Sequence, residues 1–254
     1  MERLGTSRPT GLTGSGLRTW GMLFAVAGII SRAILQNELL GTLNGGNAGL
    51  LAQLQSQENG MIIATVALVL QVIETMAVPV FALLLVEGFQ HTSNYKKYVI
   101  RVATTAVVSE IPFNLAMSQQ ILDLRTRNPV FAVVLCLVAL YLYQRFAGQK
   151  ILCIFVGLMA TVWAGMLGVE HGIPMVLIVS VMWVLRNKKM LRGFAGAAVA
   201  VICTGGSMYY LGAPMGFLVD HFYNGEPGEG SKWVNYLFYP VVLLVVALIA
   251  IFAI

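Results

Sequence analysis

MIIATVALVLQVIETMAVPVFALLLVEGFQHTSNYKKY, residues 61–98, is the stretch that decides the fold. Its first part, through Val86, carries one charged side chain, Glu74, whereas the part from Glu87 onward is polar and basic. An apolar run of ~20 residues is what a helix needs to cross ~30 Å of hydrocarbon. We therefore predict a transmembrane helix from Met61 to Val86 that ends in a polar segment at one membrane surface.

Similar apolar segments recur along the chain. The eight segments are Leu17–Leu40, Met61–Val86, Tyr98–Met117, Pro129–Phe146, Ile151–Val169, Ile173–Leu185, Phe194–Leu211 and Val234–Ile254. The chain is 58% hydrophobic and 11% charged, whereas a soluble domain has about 25% charged residues. The sequence predicts an all-α polytopic membrane helix bundle with about 8 transmembrane helices. Its weakest segment is Ile173–Leu185, which is short for a span.

The charged residues predict the orientation of this bundle, because short cytoplasmic connections retain Lys and Arg. Most of the 16 basic residues lie in alternate connections, namely Arg3, Arg8, Arg18, Lys96, Lys97, Arg101, Arg145, Lys150, Arg186, Lys188, Lys189 and Arg192. The other connections hold Glu38, Glu58, Asp123, Glu170, Asp220, Glu226 and Glu229. We predict that the N and C termini are both cytoplasmic. The net charge of +5 then faces the anionic lipid bilayer, and no nucleic acid partner is expected.

One membrane domain, residues 1–254, accounts for the chain, because no polar stretch is long enough for a second core. Residues 1–16 are expected to form a flexible N-terminal leader. Residues 37–60 and 213–233 are rich in Gly, Asn, Gln or Pro and are expected to form the two longer external loops. The three cysteines lie in apolar segments without a CxxC spacing, which favours buried thiols over disulfides.

Ionisable residues inside the predicted spans mark a second feature, because a charge in the bilayer must be paired or hydrated. Arg32, Glu74 and Glu110 lie within spans, with Glu87 near a span end. Glu74 and Glu110 each precede a proline on the same helix, which brings polar groups and a kink together. Structural carboxylates and a functional site both fit this pattern.

The densest polar cluster follows the second span. EGFQHTSNYKKY, residues 87–98, together with Arg101, puts a carboxylate, an imidazole, hydroxyls and three cations within a few helical turns. Such a set is suited to an anionic, phosphorylated ligand, with His91 available for proton transfer. The same basic residues also satisfy the orientation rule without any ligand.

Several motifs then resemble one family. VPVFALLLVEGFQHT (78–92), SEIPF (109–113), RNPVF (127–131), HGIP (171–174) and FYP (238–240) closely resemble, in this order, the TraX family of membrane proteins. The resemblance covers most of the chain, and residues 79–113 are its most specific part. It implies localisation in the bacterial cytoplasmic (inner) membrane as a multi-pass protein.

The resemblance implies an acetyltransferase-like fold with acetyl-CoA or another acyl-CoA as donor, since the named family example N-acetylates pilin. The matching polar positions are Glu87, His91, Arg101, Glu110 and Asn128. On this basis the candidate catalytic residues are His91, Glu87 and Glu110. The candidate cofactor-binding residues are Lys96, Lys97, Arg101 and Asn128. No metal is expected, because the three histidines are widely separated in the sequence.

The chain also departs from the family pattern. An Asp-His pair late in the first helix aligns with Gly28-Ile29, an Arg before the proline aligns with Thr75, and a late His aligns with Val242. Acyl transfer needs a base and oxyanion donors, so these losses favour a repurposed or catalytically degenerate member that binds a membrane protein or peptide partner. Substitutes are at hand in Ser31, Arg32 and His171.

Two other function classes stay open. The first is an active membrane acyltransferase that moves an acetyl or acyl group from CoA to an amine or hydroxyl. The second, more distant, is a transporter component, suggested by the intramembrane charges and opposed by the absence of an internal repeat.

Overall fold

The computed structural model describes residues 11–40, 59–203, 211–229 and 232–252. The described residues form helices and loops, which confirms the all-α prediction. The helices are α1 (Gly14–Ile30, continued by a π-helical stretch Ser31–Leu39), α2 (Gly60–Thr75), α3 (Ala77–Gln90), α4 (Tyr95–Ser118), α5 (Val130–Arg145), α6 (Lys150–Met166), α7 (Gly172–Val184), α8 (Lys189–Ile202), α9 (Ala213–His221) and α10 (Lys232–Phe252). Most of the predicted leader and of the 37–60 loop lies outside the described residues.

Four helical segments of the described chain are long and apolar enough to cross a membrane, and we call them rods: Gly14–Leu39, Gly60–Gln90, Tyr95–Ser118 and Val234–Phe252. Helices α5, α6 and α7 are apolar but have only 16, 17 and 13 residues. The predicted segments in these regions are therefore helices, while a count of about eight full crossings is not confirmed.

The second rod is broken where α2 meets α3. Met76 separates the two helices, and its N–H bonds to the carbonyl of Ile73 at 3.1 Å, which closes a tighter turn. Pro79 follows in the first turn of α3 and cannot donate to Thr75. The resulting bend lets α9 approach closely, because a Cβ at Gly216 would lie 2.4 Å from Pro79 Cγ.

The centre of the bundle is α3, whose buried residues pack against α1, α5, α7 and α9. A second, smaller cluster joins the π-helical stretch to α4 and α10 through Ala33, Phe113 and Leu243. Large apolar side chains cover the outer faces, such as Ile62, Ile151, Ile154 and Phe194. An apolar exterior over helices of this length is the surface that lipid requires.

The two ends of the bundle differ in charge. The basic end carries Arg18, Lys97, Arg101, Lys150 and Lys189, whereas at the opposite end Asp123 and Glu110 are paired with Arg125 and Arg127. The orientation rule predicts that the basic end faces the cytoplasm.

The prediction that residues 213–233 form an external loop is not confirmed. The N–H of Leu12 donates to the carbonyl of Phe222 at 2.9 Å, and the N–H of Asn224 donates to Leu12 at 3.0 Å. Lys189 Nζ also donates to the carbonyl of Tyr223 at 2.8 Å. The connection around Tyr223, with Glu226 and Glu229, therefore lies at the basic end, beside the start of α1.

The physical reason lies in the predicted seventh span, Phe194–Leu211. Helix α8 has 14 residues, which is about 21 Å and too short for a bilayer. Helix α9 returns towards the basic end, starting where Gly212 lies against the Val72 carbonyl in mid-bundle. Residues 204–210 of this predicted span lie outside the described residues, so a full crossing is not confirmed here.

The prediction that both termini share one face is likewise not confirmed. Helix α10 starts beside Tyr98 at the basic end, where Tyr236 lines the same cavity. It then runs parallel to α4, packing Leu243 against Phe113. The described chain therefore starts at the basic end with Gly11 and finishes at the opposite end with Phe252.

Candidate functional site

A single cavity of about 790 Å³ runs between α1, α3, α4 and α10. Its two ends are both polar, whereas its middle is lined by apolar side chains such as Val26, Phe81 and Leu84. A volume of this size is in the range of small-molecule and cofactor sites. At the basic end the lining includes Arg18, His91, Lys97, Tyr98 and Arg101, and at the other end it includes Arg32, Glu74, Glu170, His171 and Tyr239.

The cavity is long as well as large. Arg18 and Arg32 both line it and lie on one helical rod, about 21 Å apart along the axis. Glu74 and His91 line it from the second rod, about 25 Å apart by the same rise per residue. The cavity therefore connects the basic end with groups most of the way through ~30 Å of hydrocarbon.

Four side chains form what we call the charge cluster: Arg32, Glu74, Glu170 and His171. The Arg32 guanidinium donates a short hydrogen bond from Nη2 to Glu74 Oε1 and forms a short ion pair from Nη1 with Glu170 Oε1. His171 Nε2 lies 3.5 Å from Glu74 Oε1. None of the four side chains is more than 22% exposed. Burial keeps solvent from screening these interactions.

Helix α1 makes room for the cluster by lacking a side chain at one position. A Cβ at Gly28 would lie 1.9 Å from Glu74 Cδ, so any other residue there would displace the carboxylate. Just beyond, the rod changes to a π-helical stretch that contains Arg32, and such stretches are frequent at functional sites. Ser31 anchors the change by donating from Oγ to the Ala67 carbonyl at 2.7 Å.

The loop that carries Glu170 and His171 is held by the backbone of a second loop. Arg127 donates its N–H to Gly168 at 2.9 Å, and Glu170 donates its N–H to Arg127 at 3.0 Å. Gly168 and His171 have φ angles of 61° and 53°, a left-handed conformation that is uncommon for a non-glycine residue such as His171. The loop is thus bent so that both side chains face the cavity.

Glu110 and Asn128 do not line the cavity. Glu110 accepts hydrogen bonds from Arg127 Nη1 at 3.0 Å and from the Asn128 side chain at 2.6 Å and backbone at 3.3 Å. Asn128 is fully buried and also donates to Ala106, while its Oδ1 accepts from the N–H of Val130. These bonds fasten the start of α5 to α4, so the geometry gives this pair a structural position.

Asp123 stabilises the same connection. It accepts the backbone N–H of Arg125 at 2.9 Å and its guanidinium at 2.8 Å. These hydrogen bonds lower the pKa of Asp123 to about 2, because they favour the ionised carboxylate.

The basic end brings together only part of the predicted set. Lys97 and Arg101 line the mouth of the cavity, while Lys96 is exposed beside it. His91 lies at the mouth with its side chain 76% exposed, and its Nδ1 lies 2.9 Å from the Glu87 carbonyl. The Glu87 carboxylate lies 3.8 Å from His91 Nδ1 and 3.5 Å from Arg192 of α8, and it does not line the cavity.

Three cavity residues were missed as site residues. Arg18 was assigned only to orientation, although it joins Lys97 at the mouth. Glu170 directly precedes the HGIP motif, and Tyr239 is part of the FYP motif. Their positions at these motifs were the signal in the sequence that could have identified them as site residues. Arg32 and His171, which were predicted as substitutes, both contact the Glu74 carboxylate of α2.

The cluster also bears on the expectation that the chain holds no metal site. The ligand atoms of Glu74, Glu170 and His171 lie within 4.8 Å of one another, a grouping that histidine spacing could not reveal. Arg32 already supplies a cation to both carboxylates. A metal ion would have to displace it, so the group is described here as an ion-pair cluster.

These features define a helical membrane protein with a charged cavity between its long helices. Residues 49–250 match the model of the TraX family, described as TraX protein. The chain therefore belongs to the TraX family, and the resemblance is confirmed. The helix carrying Arg18 and Arg32 lies outside the matched range. No curated protein and no solved structure matches the chain.

Proposed function

We propose that this protein is a membrane acyltransferase that moves an acetyl or acyl group from a CoA donor to an amine or hydroxyl. The observation that carries the proposal is the single cavity that joins a cationic mouth to the charge cluster. A long donor with phosphates at one end and a thioester at the other fits such a shape. The cavity lining also fits this donor chemically, because its middle is apolar.

The phosphates of the donor are expected at the basic end, which faces the cytoplasm, where acyl-CoA is made. Arg18, Lys97 and Arg101 converge there from α1 and α4. Guanidinium and ammonium groups form charge-assisted hydrogen bonds with phosphate oxygens. Asn94 orders this turn by accepting the N–H of Lys97 at 3.0 Å.

The thioester then lies towards the charge cluster. We assign His171 as the base that takes the proton of the acceptor, with Glu74 holding the imidazole. The acceptor nitrogen or oxygen forms a bond to the acyl carbon, the carbon–sulfur bond breaks, and the proton passes to the thiolate. Tyr239 lines the same end, and its hydroxyl is the donor that we assign to the developing oxyanion.

This arrangement supports activity in spite of the departures from the family pattern. The missing groups align with Gly28 and Thr75, yet the Glu74 carboxylate occupies the space beside Gly28. The acid Glu74 on α2 and the cation Arg32 on α1 thus reverse the expected placement of charge between the two helices. The geometry for this reason favours the enzyme over the degenerate scaffold.

The test is acetyl-CoA binding by calorimetry on detergent-purified protein, followed by acetyl-CoA hydrolysis or transfer to a mixture of small amines and sugars. Arg101→Ala is expected to weaken binding about tenfold or more, since hydrogen bonds to charged groups contribute ~1.5–3 kcal/mol. Lys96→Ala is the matched control, because Lys96 is exposed and outside the cavity. Equal effects of the two variants would contradict the assigned donor site.

His171→Gln separates binding from chemistry. It is expected to leave acetyl-CoA affinity nearly unchanged and to abolish turnover, because His171 lies far from the basic end. Wild-type turnover by the His171→Gln variant would remove the assigned base.

A repurposed scaffold in the bacterial inner membrane is the second candidate. It is favoured by the Arg32 guanidinium, which already binds both carboxylates of the cluster, as a purely structural ion pair would. Such a protein would bind a membrane protein or peptide partner, show no heat with acetyl-CoA, and co-purify with that partner after crosslinking.

A further inference from the structure

A second cavity of about 1360 Å³ lies on the other flank of α3, outside the site described above. It runs between α5, α6 and α7 at the basic end, and we call it the lateral groove. Its deep part is lined by Leu158, Leu177 and Val181, and its mouth by Lys150 and Arg186. Ile154 and Leu158 are 63% and 59% exposed, so the groove opens on a surface that faces lipid.

The mouth of the lateral groove is positively charged. Lys150 and Arg186 are both exposed there, and the residues that line the groove include no Asp or Glu. The Arg186 guanidinium is placed by Trp183, with its Cζ 4.3 Å from the ring centroid and Nη1 donating to the Trp183 carbonyl at 2.8 Å. Two cations, one of them held by Trp183, with no Asp or Glu among the described lining residues, are complementary to an anion.

The depth of the groove matches one leaflet of a bilayer. Leu177 and Val184 on α7 are separated by about 10 Å along the helix axis, and Arg186 follows two residues beyond the end of α7. Lys150 and Thr161 on α6 are separated by about 16 Å. One leaflet contributes half of ~30 Å of hydrocarbon. An acyl chain whose headgroup sits at the cations would therefore end near the floor of the groove.

The floor of the groove carries two hydroxyl groups, and no cation is among the described residues that line this floor. Tyr143 Oη and Ser180 Oγ hydrogen bond to each other at 2.8 Å. Gly157 permits this contact, since a Cβ there would lie 2.8 Å from Tyr143 Oη. The bond satisfies both hydroxyls, so the remaining surface is suited to an apolar chain.

We propose that the lateral groove binds one anionic phospholipid of the leaflet at the basic end. The acyl chain lies along Leu158, Leu177 and Val181, and the phosphate contacts Lys150 and Arg186. Basic pockets between transmembrane helices on the cytoplasmic side are known to select anionic headgroups. A neutral lipid would fill the groove equally well but gain nothing from the two cations.

Trp183 lines the groove and can report the bound lipid. A protein with Trp20, Trp163 and Trp233 changed to Phe keeps Trp183 as its one tryptophan. Two vesicle preparations with the same bromine content are compared. In the first, phosphatidylglycerol carries brominated chains and phosphatidylcholine does not. In the second, phosphatidylcholine carries the brominated chains and phosphatidylglycerol does not. We expect Trp183 to be quenched more by brominated phosphatidylglycerol, with a preference of about fivefold for each cation.

Lys150→Gln is expected to lower this preference about fivefold, and Lys188→Gln, outside the groove, is expected to leave it unchanged. Equal quenching by the two lipids, or equal effects of the two variants, overturns the proposal. Native mass spectrometry of the wild-type protein gives a second measurement that needs no tryptophan changes. One retained phosphatidylglycerol, with lower occupancy after Lys150→Gln than in the wild-type protein, supports the site, and equal retention of phosphatidylcholine by the wild-type protein overturns it.

Discussion

Replacement of Glu110 by Ala tests whether this intramembrane carboxylate is structural. Glu110 accepts three hydrogen bonds, from Arg127 and from the side chain and backbone of Asn128. Hydrogen bonds between membrane helices average ~0.6 kcal/mol, which sets a lower value of about 2 kcal/mol for the three. Removal of one partner of a buried ion pair costs ~3–5 kcal/mol, and partial exposure of Arg127 reduces that value.

We therefore expect Glu110→Ala to cost about 2–4 kcal/mol of unfolding free energy. At ~2–4 °C per kcal/mol for a chain of this size, the thermal midpoint falls by about 4–16 °C. The assay is thermal unfolding of detergent-purified protein, with acetyl-CoA binding measured well below the midpoint. Binding is expected to survive, because Glu110 does not line the cavity.

Ser109→Ala is the matched control on the same turn of α4. Ser109 is fully buried, and its Oγ has no hydrogen-bond partner among the described residues. Its removal should change the midpoint little or raise it slightly. A Glu110→Ala midpoint no lower than that of Ser109→Ala would refute the structural assignment, and lost binding in a stable variant would return Glu110 to the functional site.

Two further predictions concern the charge cluster and the topology. Gly28→Ala should expel the Glu74 carboxylate and abolish turnover, since the new Cβ would lie 1.9 Å from Glu74 Cδ. Gly193→Ala is the control and should keep turnover, because a Cβ there would have nothing within 4 Å. Turnover by both variants would contradict the described packing. The topology is tested in a chain without native cysteines, with single thiols introduced at Asn94 and Glu226. Both thiols should be labelled from the same side of the membrane. Labelling from opposite sides would exclude the pairing of residues 12–14 with the loop after α9.

The sequence predicted helices well but the course of the chain less well. Apolar run length was a sound guide in the rod Gly60–Gln90, because burial in lipid depends on local composition. It was not confirmed at Phe194–Leu211, where helix α8 ends at Ile202. Gly212 fits against Val72, and that close contact between distant segments has no local signal.

The candidate site shows the same limit. Lys97 and Arg101 were predicted from a local motif and do line the cavity. The charge cluster joins residues from α1, α2 and the loop before α7, so only the fold brings Arg32 and Glu170 together. Glu110 resembled a site residue because a buried carboxylate is rare, whereas the structure places it outside the cavity, hydrogen bonded to Arg127 and Asn128.

Helices α5 to α8 give the bundle a thin flank. At 13 residues, α7 measures about 20 Å, whereas an ordinary bilayer presents ~30 Å of hydrocarbon. A bilayer can match such a flank by thinning next to it. His171, at the start of α7, then lies close to the membrane surface at the end opposite the basic end, so a molecule from the water travels only a short way to reach it.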